Sequence, residues 1–242
     1  MGGAAGDGGG LSTVAKPPIM PLRLFTPVLA GAHLSERVIA CVGAAACIAL
    51  TMAVCRYLPL GAADLPTIAA PLGASAVLIF AVPASPLAQP WSVVGGNIIS
   101  TLVGVTVFHI VPNAAVAAGL AVGGAILAMS LLRCLHPPGG AAALTAVIGG
   151  PSIHAAGYAF ALAPVGINSV ALVLLGMVFH ALAGRSYPHR PIAAPDLPAA
   201  GLHLADIDAA LEEMHDSFDI AREDLDLLLS HAEAHALARR NG

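Results

Sequence analysis

Two stretches of the sequence have the makings of a binding site. Pro71-Leu72-Gly73-Ala74-Ser75-Ala76 and Pro138-Gly139-Gly140-Ala141-Ala142-Ala143 each begin with proline, pass through small residues and lead into an apolar run. A proline at the first helical position is pre-set for helix and lacks an N–H that would be unsatisfied there anyway. The small residues that follow leave the next N–H groups uncovered, and those donors together with the helix dipole make an anion site. Inside a bilayer unpaired N–H groups are costly, so two such half-helix starts facing each other near the midplane would hold a small anion. The competing reading is a pair of tight surface loops. The apolar stretches, about 66–83 and 137–150, are too long for that and shorter than a comfortable membrane span.

Polar neighbours complete the candidate binding set. Arg133 and His136 stand in Arg133-Cys134-Leu135-His136-Pro137-Pro138, and ionisable groups at membrane depth are functional candidates by default. Arg133 has the alternative of snorkelling to the headgroups, whereas His136 is held against Pro137 and Pro138. Ser75, Ser85, Gln89 and Asn97 surround the first stretch as uncharged donors. The expected substrate-binding residues are therefore His136, Pro137, Pro138, Gly139, Gly140, Arg133, Pro71, Gly73, Ala74, Ser75, Ser85, Gln89 and Asn97. His109 and His180 read as interfacial or packed histidines.

Enzyme chemistry has no comparable signal. The sequence has no HExxH, GxSxG, Walker loop or GxGxxG, and its paired acids lie near the C-terminus. Ser100, Ser130 and Ser169 have no evident base. Cys41, Cys47, Cys55 and Cys134 show no metal-ligand spacing and read as small apolar core residues. His231 and His235 share a helix face with only Glu233 nearby, a poor metal site. The expectation is a protein without catalytic residues, metal or cofactor, and without a nucleic-acid partner.

The elements that must position these residues are membrane helices. The 242 residues are 57% apolar and 10% charged, with mean hydropathy +0.84, whereas about a quarter of the residues in a soluble domain are charged. Between Val38 and Ala183 the charged side chains are Arg56, Asp64 and Arg133. Four apolar runs, roughly 38–58, 93–111, 115–135 and 157–183, approach the length of about 20 residues that a spanning helix needs. An offset of 67 residues lays Gly73 on Gly140, Ala74 on Ala141, Ala76 on Ala143 and Ser85 on Ser152. Each half then reads as long helix, short Pro-started segment, long helix. Three crossings per half require an inverted repeat, while re-entrant hairpins would give parallel repeats. Either way the total is even. Lys16, Arg23 and Arg37 then share a face with Arg185 and Arg190, and the positive-inside rule makes that face, with both termini, cytoplasmic. Gly119 and Gly123 form a small-xxx-small face suited to helix contact.

The two short blocks also carry a resemblance. APLGASAVLIFAVPASPLAQPWSVVGGN (70–97) and RCLHPPGGAAAL (133–144) resemble the signature blocks of the HPP family of integral membrane proteins, named for the motif that stands here as His136-Pro137-Pro138. The resemblance covers about residues 35–185. It implies a compact helical membrane domain and, because plastid and cyanobacterial members are associated with nitrite transport, a carrier or channel for a small anion. Two positions depart from the pattern: Trp91 stands where many relatives have Arg, and Gly139 where Ala is usual.

Residues 203–242 hold ten acids against three arginines. Leu204, Ile207, Leu211, Met214, Phe218, Ala221, Leu225, Leu228 and Ala232 recur at alternating spacings of three and four, the stripe of a coiled coil or of an amphipathic helix docked on a partner. The stretch resembles the linker that in bacterial relatives leads to nucleotide-binding CBS modules. The expected organisation is an unstructured lead-in over 1–34, a transmembrane domain over 35–185, a Pro-rich linker over 186–202 and an acidic helix over 203–242. The expected protein is an all-α bacterial inner-membrane transporter or channel, homo-oligomeric through 204–232. The rival is a membrane-anchored sensor or scaffold whose acidic helix engages a partner.

Overall fold

The computed structural model describes residues 34–57, 65–190, 204–214 and 220–241. The expected lead-in before residue 34, Asp64 and most of the Pro-rich linker fall outside these residues. Among the described residues the regular elements are all helical: α1 (Leu34–Arg56), α2 (Pro71–Ala81), α3 (Pro90–Ile110), α4 (Ala114–Leu131), α5 (Pro137–Ile148), α6 (Pro151–Ala156), α7 (Ile167–Leu182), α8 (Leu204–Met214) and α9 (Arg222–Asn241). Four are long and apolar enough to cross a membrane: α1, α3, α4 and the span Ala161–Leu182, in which a broken turn at Ala163-Pro164 runs into α7. The short helices α2 and α5 are the two Pro-started segments. The expected all-α membrane architecture is present, with the unforeseen short α6 before the last span.

Large apolar side chains point outward and small ones inward. Val42, Leu50, Leu120, Leu127, Leu174 and Val178 are exposed, an arrangement that lipid accepts and water does not. On α1 the buried positions are Ala40, Gly43, Cys47, Thr51 and Cys55. Cys134 is buried as well, and only Cys41 of the four cysteines faces outward. On α4 the buried row is Ala117, Ala121, Ala125 and Met129. The expected contact face at Gly119 and Gly123 is not used within the chain, since a Cβ added to either glycine would meet nothing within 4 Å. Alanine rather than glycine forms the seam because α4 meets its neighbours through side chains, whereas α3 and α5 meet backbone to backbone. Gly96, Ser100 and Gly104 of α3 face the α5 side, where a Cβ on Gly104 would collide with the Ala143 carbonyl.

Contacts fix the helix directions. Glu36 pairs with Arg185 at 3.7 Å and Cys55 meets Asn168, so α1 and the last span run opposite ways. Tyr187, beyond the last span, bonds Ala88 just before α3, and Tyr158, ahead of that span, bonds Thr106 near the end of α3. The last span therefore runs antiparallel to α3. Ala69 lies at Asn168 and Ile79 at His180, which makes α2 parallel to α7. His136 lies at Gly96 and Ala143 at Gly104, which makes α5 parallel to α3.

Helices α1, α2 and α3 thus run up, down and up, while α4, α5 and α7 run down, up and down. Among these six helices, the pairs that touch remain the same when α1 is exchanged with α4, α2 with α5 and α3 with α7, although α3 and α5 pack far more extensively than α7 and α2. This is the inverted form of the repeat rather than the parallel one. Each half lends its third helix to the other. One apolar cluster is built chiefly from α1, α2 and α7, and the second from α4, α5 and the lipid-side residues Ile99, Val103 and Val107 of α3.

The acidic segment departs from expectation. The single stripe over 204–232 is divided into α8 and α9, with Ile220 and Ala221 outside either helix. Asp216, Ser217 and Asp219 are weak helix formers because their side chains compete for backbone donors; these three, with Phe218, lie outside the described residues. Arg222 pairs with Asp208, linking the two helices.

Candidate functional site

A polar cluster lies where the two apolar clusters meet. His136 precedes α5 in extended geometry (φ −144°, ψ 107°), set there by the prolines that open the helix. Its Nδ1 is 2.8 Å from the Leu87 carbonyl and its Nε2 is 2.8 Å from Ser75 Oγ on α2. A carbonyl oxygen can only accept, so Nδ1 carries the proton, and Nε2 of the neutral ring accepts from the Ser75 hydroxyl. Asn97 Nδ2 on α3 donates to Ser75 Oγ at 3.2 Å and to Ser169 Oγ at 3.3 Å, while Ser169 on α7 donates to the Val165 carbonyl at 2.8 Å. Both hydroxyls are thus acceptors toward Asn97, which sets the amide with nitrogen toward them and oxygen away. His136, Ser75, Asn97 and Ser169 are all 0% exposed.

Two polar atoms of this cluster have no partner among the described residues, Asn97 Oδ1 and Ser100 Oγ. Ser100 is also fully buried and sits against Gly139, where an added Cβ would lie 2.6 Å from its hydroxyl oxygen. Gly96 is equally confined: a Cβ there would lie 2.5 Å from His136 Cβ and 2.8 Å from the Cys134 carbonyl.

The half-helix starts differ from the expected bare donors. Pro137 and Pro138 have no N–H, and Gly139 N donates to the His136 carbonyl at 2.8 Å. At α2, Leu72 N and Gly73 N donate to the Ala69 and Ala70 carbonyls, and Ala69 N donates to Asn168 Oδ1 at 3.0 Å. Tight turns ahead of each helix have absorbed the groups that an anion would have used. The helix dipoles remain, and the polar side chains carry the available hydrogen-bonding capacity.

Only part of the expected set converges. His136, Ser75 and Asn97 come together; Pro138 and Gly139 form the wall that packs on α3, and Pro71 is buried at the start of α2. Pro137 is exposed, and Gly140 is half-buried, where an added Cβ would meet only Val122, at 3.8 Å. Gly73 and Ala74 face outward. Ser85 caps the turn Pro86–Ala88 by accepting from Leu87 N. Gln89 holds that loop through the Pro83 and Ser85 carbonyls and accepts from His189 N. Arg133 is exposed and has φ +54°, closing α4 as its left-handed residue while Cys134 N bonds the Met129 carbonyl and Arg133 N the Ser130 carbonyl. Its backbone aims the chain toward His136; its side chain is outside the cluster. Trp91, 58% exposed, bonds the Leu132 carbonyl beside the same turn.

Residues outside the expected binding set complete the cluster: Ser100, Ser169 and the confined Gly96. Their signals are the Gly96-x3-Ser100-x3-Gly104 spacing and the recurrence of Val94-Gly95-Gly96-Asn97 as Val165-Gly166-Ile167-Asn168. His180 is packed, its Nε2 2.9 Å from the Ile79 carbonyl, and His109 is exposed at the end of α3. Outside the spans, burial pushes the Tyr187 phenol above its ordinary range, and it stays a donor to the Ala88 carbonyl at 2.8 Å. His189 pairs with Asp224 of α9 at 2.9 Å, joining the acidic segment to the loop that holds Leu87. The outward groove along Ile98, Leu162, Ile167 and Val170 is apolar and offers a polar solute nothing.

Comparison with known proteins finds transmembrane relatives. A transmembrane protein of Dictyostelium discoideum is 36% identical over 144 residues, 57% of this chain and 50% of the relative. A second transmembrane protein of that organism is 41% identical over 120 residues, 48% of this chain and 38% of the relative. The chain thus covers half or less of the length of these curated relatives. No solved structure matches. Residues 30–188, which contain every helix from α1 to α7, match the transmembrane region of the HPP family, and the chain belongs to that family.

Proposed function

We propose that this membrane protein is a transporter or channel for a small anion, with nitrite the anion that the family resemblance favours. The observation that carries the reading is the buried cluster of His136, Ser75, Asn97 and Ser169, contributed by four helices of both halves. Polar groups are expensive in a membrane interior and mark solute pathways there, and inverted repeats with interrupted helices place their sites at the repeat interface. Both termini lie on the cytoplasmic face of a bacterial plasma membrane in this reading. The protein works as a homo-oligomer, without cofactor or catalysis. Ser75 and His136 have the spacing of a nucleophile and base, but the neighbouring N–H groups that could meet an oxyanion already have acceptors. Ser75 should therefore resist fluorophosphonate labelling.

The test is nitrite uptake by proteoliposomes of the full chain, with His136→Ala as the paired variant. Saturable uptake that the variant loses while remaining folded supports the reading. Absence of uptake from inserted protein shifts the reading to the sensor or scaffold, for which the His189–Asp224 link between α9 and the membrane body is the favouring observation.

A further inference from the structure

We infer that the cluster takes its solute as the neutral conjugate acid, so that a small oxyanion crosses together with one proton; this rests on the transport reading above. The donors around the site are consumed. His136 Nδ1–H is held by Leu87, the Ser75 hydroxyl by His136 Nε2, both Asn97 N–H groups by Ser75 and Ser169, and the Ser169 hydroxyl by Val165. Among the described residues, what remains open in the cluster is one acceptor, Asn97 Oδ1, and one hydroxyl, Ser100 Oγ, both fully buried. They stand three residues apart on α3 and so lie on the same helix face.

An acceptor beside a hydroxyl donor is the complement of an O–H acid. The acid O–H donates to Asn97 Oδ1, and the second oxygen accepts from Ser100. Nitrous acid and formic acid have this pair of groups; nitrite and chloride have only acceptors or charge. Asn97 Oδ1 would face a bare anion with its lone pairs.

Charge leads to the same class. Helices α2, α3, α4, α5 and α7 contain no Asp, Glu, Lys or Arg; the titratable and charged groups on these elements and the turns beside them include His136, Cys134, His109, His180, Tyr187, which is held by the Ala88 carbonyl, and Arg133, which is exposed. His109 and His180 sit at the far ends of α3 and α7. A buried anion would have no fixed counter-charge here, and an uncompensated buried charge is strongly unfavourable, whereas a neutral acid carries no such cost.

The experiment uses the full chain in proteoliposomes, with protein-free liposomes subtracted for passive permeation of the acids. Labelled nitrite and formate are supplied at fixed total concentration while pH and membrane potential are varied separately. The expected result is electroneutral uptake that ignores the potential and falls about tenfold for each pH unit of rise, following the acid form. Formamide, a neutral molecule with an N–H donor and a carbonyl acceptor, competes; chloride and nitrate do not. Ser100→Ala, which removes a hydroxyl that no other group uses, stays folded and loses most of the uptake. Saturable uptake that follows the potential, is indifferent to pH and is blocked by chloride overturns the neutral-acid inference and leaves an anion transporter. Ser100→Ala transporting like the parent also overturns the assignment. No saturable uptake above protein-free liposomes overturns the transport reading and this inference together.

Discussion

Asn97 and Asn168 occupy matching places in the two halves, each the last residue of a Val-Gly-x-Asn run, yet they are bonded differently. Asn168 is saturated: Oδ1 accepts from Ala69 N, and Nδ2 donates to the Thr67 carbonyl at 3.1 Å and to Cys55 Sγ at 3.0 Å. Asn97 spends its nitrogen on two serines and leaves its oxygen open. One member of the pair ties the start of α2 in place. Its counterpart is fully buried and, among the described residues, keeps one acceptor without a partner.

That difference separates stability from activity. Asn168→Ala strands the Ala69 N–H and the Thr67 carbonyl, and an unsatisfied buried group costs about 1–3 kcal/mol. Asn97→Ala leaves Ser75 and Ser169 with their other partners. The alanine variant at 168 should melt well below the one at 97 in detergent, while the variant at 97 should be the poorer transporter. The reverse order of melting temperatures contradicts this division.

Glycine tolerance should differ sharply along α3 and α4. Gly96→Ala and Gly104→Ala drive a methyl into His136, Cys134 or the Ala143 carbonyl and should reduce the yield of monodisperse protein on size-exclusion chromatography. Gly119→Ala and Gly123→Ala meet nothing and should match or exceed the parent, since alanine is favoured over glycine within a helix by about 0.5–1 kcal/mol. A strong loss at 119 or 123 would instead show that this face is covered in an oligomer.

Arg133 should be replaceable. Its left-handed backbone, with φ +54°, costs a non-glycine residue roughly 1 kcal/mol, and its side chain is outside the cluster. Arg133→Gly should keep uptake and raise the melting temperature modestly. The end of α7 shows the same closure with Gly184 at φ +68°. Loss of uptake in folded Arg133→Gly would return the guanidinium to the solute path.

The acidic helices should be separable from the membrane body. Helices α1 to α7 pack on one another, so truncation after Arg190 should leave a folded domain with unchanged melting. If residues 204–232 mediate assembly, light scattering of the truncated protein in detergent will show a smaller oligomer. An unchanged oligomer places the interface on the membrane helices.

Much of the membrane body is legible in the sequence because its signals are local. A run of apolar residues, a proline at a helix start and a change of charge density can each be read within about 20 residues. That is why the four spans, the two short helices and the acidic segment fall close to their expected places. The acidic stripe reads as continuous because periodicity registers which positions are apolar and does not register where a helix stops, as one does before Arg222.

The site is legible only in part. His136, Ser75 and Asn97 are conspicuous by type, but Ser100 and Ser169 look like any serine in an apolar helix. Their roles depend on α3 lying parallel to α5 and crossing α7, relations between segments about 40 and 70 residues apart in sequence. Likewise, whether a helix start offers free N–H groups depends on the carbonyls of the preceding turn, and sequence does not reveal that turn.

By itself, then, the sequence determined that this chain lives in a membrane, where its helices begin and that it is built from two similar halves, because hydropathy, proline and repetition are properties of short segments. Only the tertiary structure decided that the halves are inverted, that each lends a helix to the other and that Asn97 and Ser100 each keep a polar atom without a partner among the described residues. Hydrogen bonds and backbone contacts form between atoms in space, and in this fold the polar cluster around Asn97 is assembled from both halves of the chain.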